Sequence, residues 1–198
     1  MSRLVDKILK EINSIEFIYS KEIMYAIANW VMYSSVEEAK EAGEILKHID
    51  FPGHLKADNK TLYRLMALKR NTVFKMIKGS TLTTNELSSW TFSRMTAEGI
   101  MNHDFHSESN KGKIEVLLKG SFSNTLVDIS KYLSSYIKFE KDEDIISELE
   151  ELKEDVDDEQ EVIVKQSVLT KDNIVAIFDS KVDEYNWIKL KDYIKYLK

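Results

Sequence analysis

The sequence predicts an α+β fold, in which helices occupy the first 50 residues and a strand-rich region follows them. Within the first 50 residues, apolar side chains recur at helical spacing, as at Ile23, Ile27 and Trp30. Phe51-Pro52-Gly53 is a turn signal. Beyond this turn, the apolar residues form short or alternating runs separated by polar segments, which is typical of strands. The pattern therefore predicts two or three amphipathic helices followed by a strand-rich core.

Each element after the turn is predicted from its own apolar pattern. The candidate strands are Thr61–Met66, Thr72–Ile77, Leu87–Ser93, Lys113–Leu118, Val162–Val168 and Asn173–Phe178. The candidate helices are Thr96–His103, Ile145–Leu152 and Ile188–Leu197. With 198 residues, of which 43% are hydrophobic, the chain can build one compact domain with a sizeable core. We therefore expect residues 1–55 to form a helical region packed on a core, and residues 56–198 to form that core as one unit.

Charge is unevenly distributed along the chain. The net charge is −6 at pH 7, yet residues 140–161 hold 13 acidic residues and two lysines, so this acidic strip carries −11 and the rest of the chain +5. Such a strip either attracts a cationic protein segment or is an ordinary solvated helix face. The absence of cysteine excludes disulfides, thiolate catalysis and cysteine-bound zinc. Because the sequence shows neither a signal peptide nor an apolar run that could cross a bilayer, we expect a soluble, intracellular protein.

The first segment with chemical character is Leu62-Tyr63-Arg64-Leu65-Met66. A positive charge inside an apolar strand is costly to bury unless an anion meets it, and a planar guanidinium suits bidentate binding of phosphate. Arg64 is therefore a candidate phosphate or diphosphate ligand. The alternative is that the strand is half exposed and that Arg64 lies on its wet face.

The second segment is Leu87–Ser93, with the sequence Leu-Ser-Ser-Trp-Thr-Phe-Ser. The period of a strand places Ser89, Thr91 and Ser93 on one face, and that hydroxyl-lined face could contact a ligand. The opposite face carries Trp90. Alternatively, threonine and tryptophan are present as good strand formers, and Ser93 caps the helix that follows.

The third segment is Glu159-Gln160-Glu161, which runs directly into Val162-Ile163-Val164. A strand beginning at this pair would place both carboxylates on one face, about 7 Å apart. One of two such carboxylates can stabilise a cation while the other handles a proton. Another acid pair, Glu148 and Glu150, is surrounded by apolar residues at helical spacing and predicts a solvated helix face instead.

Taken in order, the three segments resemble the active-site motifs of the Arg–Ser–Glu class of mono-ADP-ribosyltransferases. The residues that carry the resemblance are Tyr63-Arg64, Ser89-Trp90-Thr91 and Glu159-Gln160-Glu161 with the apolar run that follows it. The resemblance is in particular to the enzymes of T-even-type bacteriophages, and it covers roughly residues 58–180. It implies a split, mostly antiparallel β-sandwich of the ADP-ribosyltransferase type. The middle motif of the family is often Ser-Thr-Ser, and we interpret Ser-Trp-Thr as its phage form.

The resemblance also implies a role for each motif residue in the cleavage of NAD. Arg64 would hold the phosphate and ribose of NAD, Ser89 would position the catalytic glutamate, and Glu161 would grip the nicotinamide ribose and stabilise the developing cation. Glu159 matches the glutamate that orients or deprotonates the acceptor guanidinium, which implies arginine as the acceptor. The NAD-binding residues implied in addition are Tyr63, Trp90, Thr91 and Phe105.

The polar segment Asn102–Glu108 leaves two interpretations open. His103 and His106, with a neighbouring acid, could form part of a metal site, but a polar loop beside the NAD cleft is preferred and no metal is expected. Phe105 either stacks on nicotinamide or anchors the loop. Since no glycine-rich dinucleotide fingerprint occurs, NAD is expected to be consumed as a substrate rather than to carry hydride.

The leading hypothesis is an NAD-dependent enzyme that transfers ADP-ribose to arginine of host bacterial proteins and releases nicotinamide, as a phage effector in the host cytoplasm. Its expected partners are NAD and a host acceptor protein, for instance of the transcription or translation machinery, and no membrane. Direct nucleic-acid binding stays open. The alternatives are a toxin-like NAD glycohydrolase of the same superfamily, or a non-enzymatic protein that docks a partner through its helical N-terminus and its acidic strip.

Overall fold

The computed structural model of the protein describes residues 15–32, 36–57, 60–99, 112–183 and 186–197. Its helices are α1 (Ile15–Ile18), α2 (Lys21–Met32), α3 (Val36–Leu46), α4 (Arg70–Ile77), α5 (Arg94–Gly99), α6 (Ile129–Tyr136), α7 (Glu143–Glu159) and α8 (Leu190–Tyr193), with 3₁₀ turns at Gly53–Leu55, Lys171–Asn173 and Ile194–Leu197. Its strands are β1 (Leu62–Lys69), β2 (Leu82–Thr83), β3 (Leu87–Thr91), β4 (Lys113–Gly120), β5 (Thr125–Asp128), β6 (Glu161–Lys165), β7 (Val168–Leu169), β8 (Ile174–Phe178) and β9 (Ile188–Lys189). The predicted α+β class is confirmed, with open, mostly antiparallel sheet structure.

Most of the predicted strands are confirmed, namely those now seen as β1, β3, β4, β6 and β8. The predicted strand Thr72–Ile77 is wrong, because these residues belong to α4. Val73 and Met76 lie three positions apart and are both buried, so the same short apolar run provides the inward face of a helix.

The predicted helices are confirmed in part. Ile145–Leu152 is the central portion of α7, which extends beyond the prediction at both ends. The C-terminal prediction, Ile188–Leu197, begins instead with β9 before its helical turns follow. The predicted helix Thr96–His103 is confirmed as far as Gly99, and its remainder lies outside the described residues.

The chain divides into two compact units, and each unit is built from two separate segments. The first unit consists of Met1–Asp58 and Asn124–Lys165, and the second of Asn59–Ser123 and Gln166–Lys198. The chain leaves the first unit after residue 58, and the later segment Asn124–Lys165 returns to it. None of the helices that the structure describes combines the length and the apolar character that a membrane span requires.

In the first unit, α2 packs against α3 and α6, and α6 packs against α7. Tyr132 of α6 is fully buried, its hydroxyl donates to the Ile18 carbonyl at 2.9 Å, and its ring meets that of Phe51 edge-on. β5 and β6 pair antiparallel. Asp142 caps the N-terminus of the acidic helix α7, because its carboxylate accepts hydrogen bonds from the backbone N–H groups of Asp144 and Ile145.

In the second unit, antiparallel strands lie side by side in the order β3-β1-β4-β8-β9, and β2 pairs with β7 as a separate two-stranded sheet. β1 pairs with β4 along its whole length, from Leu62 opposite Gly120 to Lys69 opposite Lys113. β1 is therefore an inner strand, which fixes the position of Arg64 between two neighbours.

A buried polar cluster joins three elements of the second unit around Asp179, which follows β8 and is 1% exposed. Arg70, at the start of α4, forms an ion pair with its carboxylate. The Tyr193 hydroxyl of α8 donates to Oδ2 at 2.6 Å, and the backbone N–H of Lys181 donates to Oδ1 at 3.1 Å. These four residues form the Asp179 cluster.

Candidate functional site

The structure brings the first two predicted motifs together in the second unit. Tyr63 of β1 lies opposite Thr91 of β3 in the antiparallel register. One position along β1, the guanidinium Nη1 of Arg64 donates a hydrogen bond to the carbonyl oxygen of Ser89 at 2.9 Å. Arg64 and Ser89 are both half-buried. The bond orients a cationic, planar donor group beside the middle of β3, so Arg64 is not an isolated charge on a fully wet face.

Trp90, the central residue of the second motif, lies in the interior. Its side chain is 2% exposed, and its Nε1 donates to the Ser88 hydroxyl at 3.0 Å. Its ring meets that of Phe122 with 4.5 Å between the centroids and an interplanar angle of 60°. The structure therefore gives Trp90 a packing role, with its polar N–H satisfied as buried indoles require.

Thr91 and Ser93 turn the chain from β3 into α5. The Thr91 hydroxyl oxygen accepts from the Ser93 N–H at 2.9 Å, and the Ser93 hydroxyl oxygen accepts from the Thr96 N–H at 3.1 Å. The interpretation of Ser93 as a helix cap is confirmed. Ser89 is thus held between the buried neighbours Ser88 and Trp90 on a strand whose end is fixed by local hydrogen bonds.

Glu161 is the first residue of β6 in the first unit and is buried, with 9% of its surface exposed. The following Val162, Ile163 and Val164 are fully buried. The β-branched run after the acid pair forms a strand, as predicted, and the structure shows that this strand is buried. Its first residue therefore holds a carboxylate where charge interactions are strong because water is scarce.

Glu159 occupies a different kind of structure. It is the last residue of α7, and Gln160 ends the helix in the left-handed conformation, with φ 53° and ψ 46°. The prediction that one strand places both carboxylates on the same face is therefore wrong. The helical spacing of the buried Leu149, Leu152 and Val156 continues the helix up to the acid pair.

The two carboxylates consequently have different surroundings. Glu159 is exposed, whereas Glu161 is buried. Partial desolvation, and secondarily repulsion by Asp155, raise the pKa of Glu159 above the usual range of a glutamate. Asp155 was not among the site residues predicted from the sequence, although it influences the pKa of Glu159. The sequence feature that could have indicated this influence is the four-residue separation of Asp155 and Glu159. In a helix that continues as far as Glu159, this separation places both acids on one face.

The conformation of Gln160 leads to a prediction about stability. A left-handed backbone costs about 1 kcal/mol for a residue with a Cβ and little for glycine. Gln160→Gly is therefore expected to raise the free energy of unfolding by about 0.5 kcal/mol, and Gln160→Val to lower it by about 1–2 kcal/mol, because β-branched side chains tolerate this conformation least. Urea unfolding midpoints of the three proteins provide the measurement. Equal midpoints would show that residue 160 does not adopt a left-handed conformation at the end of α7.

The remaining predicted site residues are only partly described by the structure. Tyr63 is half-buried and packs against the core formed by Ala97, Leu117 and Ala176. Phe105, and the histidine pair His103 and His106, lie outside the described residues. Within the described ranges, no group of three or more histidine, aspartate or glutamate side chains is arranged to hold a metal ion.

Comparisons of the chain with protein-family models, with curated proteins and with solved structures find no match. The function of this chain is therefore inferred from its own residues.

Proposed function

We propose that this protein is an NAD-dependent mono-ADP-ribosyltransferase that modifies arginine residues of host bacterial proteins as a phage effector in the host cytoplasm. The observation that carries the proposal is the hydrogen bond from Arg64 to the Ser89 carbonyl, because it joins the first two motifs on neighbouring strands. The order of the motifs along the chain and the mostly antiparallel strands that hold them also support a fold of the ADP-ribosyltransferase type.

Arg64 and Ser89 are proposed to bind NAD. A guanidinium presents parallel N–H groups that match two phosphate oxygens, and its charge neutralises part of the diphosphate. The bond to Ser89 holds this group in one orientation before NAD arrives, so less conformational freedom is lost when the phosphate binds.

Glu161 is proposed to drive the cleavage of NAD. The bond that breaks joins C1′ of the ribose to the nicotinamide nitrogen, and nicotinamide leaves as a neutral molecule with the bonding electron pair. The ribose then carries the positive charge of an oxocarbenium ion. A fixed, buried carboxylate stabilises this charge more strongly than it stabilises intact NAD, which is the condition for catalysis.

Glu159 is proposed to prepare the acceptor. A guanidinium nitrogen of the acceptor arginine forms the new bond to C1′, and its proton passes to the Glu159 carboxylate. An arginine guanidinium is a very weak acid, so a base with a raised pKa accepts its proton more readily than an ordinary glutamate does. Exposure of Glu159 is compatible with an acceptor that is another protein.

The proposal is tested by nicotinamide release from NAD, with and without a bacterial lysate, and by the transfer of labelled ADP-ribose to lysate proteins. Labelled proteins whose modification is located on arginine by mass spectrometry are the expected result. Nicotinamide release without any labelled protein would instead identify an NAD glycohydrolase. A protein that neither binds nor cleaves NAD would overturn the proposal.

Glu159→Gln is expected to separate the two halves of the reaction. Loss of a general base costs about 10²–10⁴-fold in rate, so labelling of arginine should fall by at least about 10²-fold. NAD hydrolysis should stay within about threefold of wild type, because Glu161 is unchanged and water needs no guanidinium base. Glu154→Gln is the matched control, since it removes an exposed carboxylate from the same helix.

The pH dependence of labelling gives a second readout of the same residue. Glu159 accepts a proton only when it is ionised, so its raised pKa should make the labelling rate fall on acidification at a higher pH than an ordinary glutamate would. Asp155→Asn removes one cause of the raised pKa and should shift this fall to lower pH. An unshifted profile, or equal losses of hydrolysis and labelling in Glu159→Gln, would contradict the assigned role.

A further inference from the structure

A groove with a volume of about 440 Å³ lies between α2 and α7, within the first unit. Its floor includes Met24 of α2 and Leu149 and Leu152 of α7, all of which are buried. This volume falls within the usual range of ligand pockets, and it gives room for a few apolar side chains rather than for a large surface.

The edge contributed by α2 is apolar and unusually exposed. Tyr25 is 54% exposed and Met32 is 70% exposed, and both border the groove. Two large apolar side chains at one exposed site favour an interaction surface over chance exposure. Methionine is flexible and polarisable, and methionine-rich grooves adapt to the apolar faces of partner helices.

The edge contributed by α7 is acidic. Glu148, Glu151 and Asp155 border the groove and are exposed, and their spacing of three and four residues places them along one face of the helix. Among the described residues that border the groove, none is basic. The groove therefore offers an apolar floor beside a row of negative charge.

We propose that this groove binds a basic amphipathic helix of a partner protein. An amphipathic helix places anchors at positions i, i+3 or i+4 and i+7 in such a groove, and lysine or arginine beside those anchors would meet the acidic row. The apolar contacts supply most of the affinity, whereas the charges select a basic partner and accelerate its association. Binding in this groove is independent of NAD chemistry, because none of the residues proposed to contact NAD or its acceptor borders the groove. Asp155 does border it, but its part in the proposed reaction is only to raise the pKa of Glu159.

The test uses the full chain and a fluorescent peptide of leucine and lysine, about 18 residues long because shorter helices are marginal in water. The peptide carries leucine along one helical face. A peptide of the same composition in scrambled order is the first control, because it has the same charge but no apolar face. Fluorescence anisotropy should show saturable binding of the amphipathic peptide, with at least about tenfold weaker binding of the scrambled one.

Charge reversal on α7 provides the matched pair of variants. Glu148→Lys with Glu151→Lys changes the groove edge, whereas Glu150→Lys with Glu154→Lys makes the same change of net charge on exposed residues of α7 that do not border the groove. The groove pair is expected to weaken binding by at least about tenfold and the control pair by less than about threefold. Circular dichroism verifies that all variants keep their helices.

Each other outcome overturns the proposal. Equal weakening by both variant pairs would mean diffuse attraction to the acidic strip, and equal binding of the two peptides would mean that the apolar floor is not used. If light scattering shows that the wild-type chain forms dimers and that the groove variant does not, the groove is occupied by a second copy of the chain. Absence of peptide binding at low salt would leave the groove without a helix-binding role.

Discussion

Glu161→Gln is expected to lower the rate of nicotinamide release by about 10³-fold, the largest effect that we expect on activity. Glutamine keeps the shape of the side chain and its ability to accept a hydrogen bond but loses the negative charge. In a buried position, a charge that faces a developing cation contributes on the order of 3–4 kcal/mol to the transition state, which corresponds to this loss.

Single-turnover nicotinamide release at saturating NAD is the measurement, because it isolates bond cleavage from product release. NAD should still bind, because Arg64, the residue proposed to bind its diphosphate, is unchanged. The thermal unfolding temperature of Glu161→Gln is measured beside the rate, so that unfolding of the variant is distinguished from loss of catalysis. More than about a tenth of the wild-type rate in Glu161→Gln would contradict the proposed role.

Asp179→Ala is expected to lower the free energy of unfolding by about 3 kcal/mol, the largest effect that we expect on stability. The Asp179 carboxylate is 1% exposed and accepts from the Tyr193 hydroxyl, from the Lys181 backbone N–H and from Arg70. Its removal leaves the buried Tyr193 hydroxyl without its acceptor and opens a small cavity. Arg70 is 41% exposed at its side chain, so water can solvate its charge and limit the loss.

Two further variants show which part of the cluster matters. Tyr193→Phe should cost only about 1 kcal/mol, since the remaining donors still serve the carboxylate. Arg70→Met should cost more than Tyr193→Phe, because it leaves a buried carboxylate without its cation. Urea unfolding followed by tryptophan fluorescence measures all three. A cost below about 1 kcal/mol for Asp179→Ala would show that the cluster contributes little.

The fold class and most strands were predictable because their signals are local. β1, β4 and β8 each contain a short apolar run of strand length, and such a run is visible without knowledge of its neighbours. β3 lacks such a run, but its Trp90 and Thr91 are good strand formers. Thr72–Ile77 has the same kind of run, and only its packing through Val73 and Met76 makes it a helix. Short apolar segments of this kind are decided by tertiary contacts, which the sequence pattern does not contain.

The sequence selects the residues of the candidate site by type, whereas their arrangement depends on the fold. The pairing of β1 with β3 brings Arg64 beside Ser89, and the selection of both residues as ligands of NAD stays a prediction. The helical placement of Glu159 was missed because the acid pair and the apolar run after it were interpreted as one strand. The groove could not be predicted, since α2 and α7 are far apart in the sequence and meet only in the folded first unit.

The discontinuous make-up of the two units has a consequence for how the protein is made. The segment up to residue 58 leaves the ribosome well before residues 124–165, to which its helices must pack. At about 5–20 residues per second, the nascent helices wait several seconds with their apolar faces uncovered. The second unit is completed only by residues 166–198, so neither unit can close during most of translation. Chaperones that shield apolar helices on the ribosome are therefore expected to matter more for this chain than for one whose units follow each other in sequence.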